Sequence, residues 1–287
     1  MLRAIFEKDS LWVKAVFIVL VPLVLGIFFI VLNNGFLSLF NVTDEIMKLK
    51  LTQLFSAFGM FICAPFVLAY LFSSDTRQFL SFNKPSGAVL IMAALSMLVA
   101  IPMINFIGEL NGQITLPESL KPIEDVLRAY EEKITQLTMS LLTSGDTLYC
   151  LMLNLLVMAV IPALGEEFLF RGVLQSSLSE RNKLWAVWIT AVVFSLVHFQ
   201  FYGFIPRLLL GAYFGYLLIW SRSIWVPVIA HFANNATIVI YYFFYKNKTP
   251  DIDIEAIGIE SSPLCLTGSV VLFAFLTFLI WREGTKA

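Results

Sequence analysis

The sequence predicts an all-α fold: a polytopic membrane protein of about eight transmembrane helices. Three observations predict it. The 287-residue chain is 59% hydrophobic and 14% charged, whereas soluble globular domains carry about 25% charged residues. Its apolar residues fall into runs of roughly 17–22, the length that a ~30 Å hydrocarbon core requires of a helix. Proline and glycine sit inside several of these runs, which membrane helices tolerate when neighbours satisfy the freed backbone groups.

The first run, about 15–32, contains Pro22 and Gly26. The segment before it mixes acids with bases, the run exceeds a signal-peptide core, and no small-x-small cleavage site follows, so it reads as an anchor. The second run is about 51–72, with Pro65, and the third about 86–108, with Pro102. The fourth, about 148–164, is expected to stop at Pro162 and Gly165. Runs at about 184–199, 204–220, 224–245 and 264–281 complete the eight. One long polar connection, 109–147, interrupts the series. Within it Ile123, Val126, Leu127, Tyr130, Ile134, Leu137 and Leu141 recur at helical spacing with charges opposite, the pattern of an amphipathic helix that caps the bundle or lies on the membrane surface. The resulting domains are 1–150, N-terminal helices plus the amphipathic loop; 151–245, a core of helices; and 246–287, a polar loop and a last helix.

Lys and Arg set the orientation. With the N-terminus inside, Arg3, Lys8, Lys14, Arg77, Lys84, Arg171, Arg181, Lys183, Arg222, Arg282 and Lys286 fall inside. Lys48, Lys50, Lys121, Arg128, Lys133, Arg207, Lys246 and Lys248 fall outside. The bias places both termini inside. A net charge of −1 without a basic stripe gives no nucleic-acid partner. Cys63, Cys150 and Cys265 lie in separate apolar runs without disulfide or metal spacing. No internal repeat is evident, which weakens a transporter reading.

Against this apolar background, charged and ionisable groups at membrane depth need partners and mark function. Three clusters stand out. The first is G-E-E-F-L-F-R-G, Gly165 to Gly172. The second is F-S-L-V-H, Phe194 to His198. The third is H-F-A-N-N, His231 to Asn235, and the two histidines are the only ones in the chain. Glu167 and Arg171 stand four apart in the order that favours a helical ion pair, which leaves Glu166 to face another helix. Both acids are expected at a helix N-terminus just after Pro162 and Gly165, where the dipole favours negative charge while an apolar cavity disfavours it. His231 and Asn235 share one helix face, flanked by Asn234. Gly211-x-x-x-Gly215 permits close helix packing between the clusters. Arg207, beside Pro206, is expected to pair with an acid or a lipid headgroup.

Separately, each cluster reads as a helix cap, an interfacial imidazole or an interhelical amide. Jointly, a carboxylate, two imidazoles and an amide donor read as a hydrolytic centre. Ser195 lies near His198 but carries no nucleophile signature, so water is the expected nucleophile. Glu166 and His198 would activate it while His231 and Asn235 receive the oxyanion. The same groups could instead bind Zn²⁺ through Glu166, His198 and His231, although the helical His-Glu-x-x-His signature is absent.

The ordered set Glu-Glu-x-x-x-Arg, Phe-x-x-x-His and His-x-x-x-Asn resembles the CPBP family of CAAX-protease and bacteriocin-processing intramembrane endopeptidases, also called Abi. It falls on Glu166, Glu167 and Arg171, on Phe194 and His198, and on His231 and Asn235, within about 160–245. The resemblance implies an eight-helix-type fold with a conical cavity. It implies catalysis by Glu166, His198, His231 and Asn235, supported by Glu167, Arg171 and Phe194, with either a glutamate-dependent or a metalloprotease mechanism. No cofactor follows with certainty, and Zn²⁺ is the candidate. The expected substrate is a membrane-anchored protein or peptide, and the expected setting is a bacterial cytoplasmic membrane. A non-proteolytic bacteriocin-immunity or scaffold protein of the same family, or a transporter using Glu and His as proton relays, are the alternative readings.

Overall fold

Pro162 and Gly165, expected to end a helix, instead lie inside one. The computed structural model describes residues 3–245, 254, 256–259 and 263–285; Lys246, Lys248, Lys286 and most of the polar loop at 246–262 lie outside them. Among the described residues there are nine long helices: α1 Leu11–Leu39, α2 Glu45–Phe72, α3 Gly87–Gly112, α4 Lys121–Leu142, α5 Leu148–Ser179, α6 Lys183–Leu196, α7 Phe204–Ser221, α8 Trp225–Tyr245 and α9 Pro263–Gly284. Seven are long and apolar enough to cross a membrane; α6 is a shorter apolar helix and α4 is amphipathic. The protein is a multi-pass integral membrane protein.

Two corrections to the sequence reading follow. First, α5 runs for 32 residues. Pro162 cannot donate a backbone hydrogen bond, and the defect is absorbed by π-helical turns at Leu156–Val160 and again at Glu167–Gln175. Gly165 serves close approach: a Cβ there would meet Phe61 Cβ of α2 at 2.5 Å. The two acids therefore lie mid-helix and not at an N-terminus, and the dipole argument for their charge falls away. Second, the expected run at 184–199 is a helix of only 14 residues. It rises about 21 Å at ~1.5 Å per residue, short of the hydrocarbon thickness. It ends in a turn containing His198, and Phe199 there has φ +54°.

α5 is the hub. It packs against α1, α2, α6, α7 and α8, while α9 and α8 close against α3, and α7 packs on α6. α1 is peripheral; Val16, Val19, Val24, Ile27 and Val31 all stand more than half exposed, which a helix in lipid allows and a helix in water does not. Asn182 caps α6 by accepting from the Leu184 and Trp185 amides. Polar bonds tie the remaining helices: Tyr213 donates to Ser96, Ser269 to the Val99 carbonyl, and Asn33 to Thr52. The three cysteines are free.

α4 forms at the predicted place. Its Glu124, buried at 2% exposure, accepts from Arg128 and from the Leu116 amide. These bonds, Arg128 first, hold the Glu124 carboxyl below the usual carboxylate range. Glu131 accepts from the Tyr202 amide at 2.7 Å, and the Arg128 guanidinium lies 4.0 Å over the Tyr202 ring. α4 is thereby docked on the turn that follows His198.

Candidate active site

The site grows from one buried ion pair. Glu167 and Arg171 are both fully buried, and Arg171 Nη1 donates to Glu167 Oε1 at 2.9 Å. Burying two charges is costly unless further hydrogen bonds complete them, and here they do so in part, with Glu167 Oε2 and Arg171 Nε left without a hydrogen-bond partner among the described residues. Arg171 Nη2 donates to the Gly211 carbonyl at 2.9 Å. The guanidinium carbon lies 4.5 Å from the Phe194 ring centroid and 5.4 Å from that of Phe214, a cation–π environment. One turn on, Gln175 repeats the pattern by donating to the Gly215 carbonyl at 3.1 Å.

The glycine pair of α7 thus does more than let helices approach. Its carbonyls are the acceptors for two consecutive rungs from α5. A Cβ at Gly211 would lie 3.1 Å from Phe194 Cδ1 and 3.2 Å from Ala191 Cα. Gln175 carries no site signal in the sequence beyond its position four residues after Arg171, and its partner Gly215 is set by helix packing.

The ion pair in turn fixes His231. Its Nδ1 lies 2.8 Å from Glu167 Oε1, and since that carboxylate accepts, Nδ1 carries the proton. The ring stacks on Phe214 at 5.1 Å and 20° and meets the edge of Phe194 at 6.2 Å. Nε2 is directed at Glu166, 4.0 Å from its Oε2.

His198 is oriented separately. The last carbonyls of a helix lack intrahelical partners, and His198 Nδ1 lies 2.7 Å from the Phe194 carbonyl at the end of α6. A carbonyl can only accept, so Nδ1 is the protonated nitrogen and Nε2 of the neutral ring is basic. The Phe194 and His198 rings meet edge to face at 5.0 Å. Phe194 therefore touches Arg171, His198 and His231 at once, which gives the Phe-x-x-x-His spacing a physical reason.

Glu166 and His198 share one cavity of about 560 Å³. Ile18, Val19, Pro22 and Leu23 of α1, Met60 and Phe61 of α2, Leu169 and Phe170 of α5, and Phe199 supply most of its wall. Unlike Glu167, Glu166 keeps some exposure, 18% of its side chain, so one of two adjacent acids is structural and the other faces the space. Asn235 lies one turn beyond His231; its carbonyl accepts from Asn234 Nδ2 at 3.1 Å, and it does not line that cavity.

The remaining expectations resolve as follows. Arg207 donates to both the side chain and the carbonyl of Gln200. Ser195 is buried and donates to the Phe204 carbonyl at 2.7 Å, leaving it no freedom to act as a nucleophile. Among the described residues no group of three His, Cys, Asp or Glu side chains could hold a metal ion. The Nδ1 atoms of His231 and His198 are taken up by Glu167 and by the Phe194 carbonyl, which leaves each Nε2 as the nitrogen that faces Glu166 or an ion.

Residues 149–237 match the family described as type II CAAX prenyl endopeptidase Rce1-like. This interval contains every residue of the three motifs. Over this interval the chain is similar to that family of membrane peptidases. A Bacillus subtilis (strain 168) protein named "Putative membrane peptidase YdiL" is 29% identical over 96 residues, 33% of this chain. The match spans about two fifths of that relative's length, 39%. No solved structure matches. The matched segment thus falls on α5 to α8, and α1 to α4 and α9 lie outside it.

Proposed function

We propose that this protein is a CPBP-type intramembrane endopeptidase of a bacterial cytoplasmic membrane that cleaves a membrane-anchored protein or peptide with water as nucleophile. The observation that carries the reading is the pairing of a partly exposed Glu166 with His198 in one cavity while Glu167, its neighbour, is locked into the scaffold.

Glu166 takes a proton from a water in the cavity, with His198 Nε2 as a second acceptor, and the hydroxide attacks the scissile carbonyl carbon. The carbonyl π bond becomes an oxyanion, towards which the Asn235 amide donates and, in its doubly protonated imidazolium form beside Glu167, His231 Nε2 donates as well. Collapse restores the carbonyl and breaks the C–N bond, and the proton held by Glu166 passes to the leaving amine. Glu167 and Arg171 act through His231 by fixing its ring and tautomer, and Phe194 acts by holding the two imidazoles in register. The apolar wall keeps bulk water from the site and admits the hydrophobic flank of a substrate.

The test is hydrolysis of a peptide reporter in proteoliposomes by the wild type and by Glu166→Gln. Substitution should remove cleavage on the order of 10²–10⁴-fold, the worth of a positioned general base, with the melting temperature unchanged. Wild-type activity in a correctly folded Glu166→Gln protein sinks the proposal.

A further inference from the structure

α4 presents its faces in an unusual order. Glu124, Arg128 and Glu131, at i, i+4 and i+7, are turned towards the protein and hold Leu116, Ile114 and Tyr202. Ile123, Val126, Tyr130 and Leu137, at i, i+3, i+7 and i+14, are turned outward, with Val126 69% exposed and Ile123 53%. Asp125, Glu132 and Gln136 occupy a third, exposed polar face. An exposed apolar stripe on a helix docked through charged side chains is not a core-facing stripe.

What lies against that stripe follows from its neighbour along the chain. Only residues 143–147 separate α4 from α5, and such a connection reaches at most about 17 Å. The first turn of α5 is itself turned outward, with Leu148 67%, Tyr149 65% and Met152 53% exposed, at the start of a membrane-crossing helix. The stripe is therefore continuous with the surface that meets lipid, and the third face offers charge to water, the division found in helices that lie in a membrane interface.

We infer that the partner of α4 is the bilayer itself: the helix lies in the lipid–water interface with Ile123, Val126, Tyr130 and Leu137 among the acyl chains. From there it holds the turn after His198 through Glu131 and Arg128. This lipid contact does not depend on the proposed peptidase activity, and its test does not use it.

The wild-type chain is reconstituted into liposomes containing a phospholipid with a photoactivatable diazirine in its acyl chain, illuminated, and mapped by mass spectrometry. Lipid adducts should fall on Ile123, Val126, Tyr130 and Leu137, while a water-soluble diazirine should label Glu132 and Gln136 instead. Val126→Asp should lower the lipid adducts on the 121–142 segment several-fold without moving the adducts on Leu148 and Tyr149. Labelling of the stripe by the water-soluble reagent overturns the inference. So does labelling by neither reagent, which would mean that another protein surface or a second copy covers it.

Discussion

The 2.8 Å contact between His231 Nδ1 and Glu167 Oε1 joins a site imidazole to a carboxylate that also bonds Arg171. One buried oxygen therefore orients two side chains from two helices. Glu167→Gln leaves Arg171 buried without its counter-ion, and removing one partner of a buried pair costs about 3–5 kcal/mol. Glu167→Gln should unfold well below the wild type in a thermal melt, whereas Glu166→Gln, at the partly exposed acid, should melt as the wild type does. Equal melting of both variants would show that Glu167 is not the structural member.

Gly211 is the position at which the scaffold is tightest around Arg171. Gly211→Ala places a methyl against Phe194 and the Ala191 backbone, and overpacking of this kind costs about 1–3 kcal/mol. The variant should lose stability by that amount and lose reporter cleavage as well, since Phe194 orients both imidazoles. Gly268→Ala, where the added Cβ meets nothing within 4 Å, serves as the comparison and should leave both measurements near wild type.

The Glu124–Arg128 pair gives a pH dependence with a definite sign. Its hydrogen bonds hold the folded Glu124 carboxyl below its ordinary value, near ~4.3 for an unfolded glutamate. The stabilisation is present above that ordinary value and is lost as pH falls through the lower folded one. Melting temperature measured from neutral pH downward should therefore drop on the acid side, and Glu124→Gln should flatten part of that drop. An unchanged acid limb in Glu124→Gln would assign it to other carboxylates.

On the proposed reading Glu166 activates the water, and no group of three possible ligands stands together among the described residues. Cleavage of the reporter by the purified protein should persist after dialysis against a chelator. A loss that is restored by added Zn²⁺ would return Glu166, His198 and His231 to the role of metal ligands.

The sequence by itself determined the helical class, because long apolar runs and sparse charge admit few alternatives. It also marked Glu166, Glu167, Arg171, His198 and His231 as groups in need of partners, because charge and imidazole are costly at membrane depth. The Glu167–Arg171 pair was legible from spacing alone, since helical periodicity places residues four apart side by side. Tertiary structure alone decided the rest. Pro162 and Gly165 looked like a helix end because local rules count missing donors and missing side chains. Only the π-helical turns of α5 and the approach of Phe61 show why the helix continues. Likewise the run ending at His198 looked long enough to span, and the turn with Phe199 cuts it short. Spacing could place His231 on a face but not beside Glu167, 64 residues away along the chain, because contacts between helices depend on their packing and not on their separation in sequence.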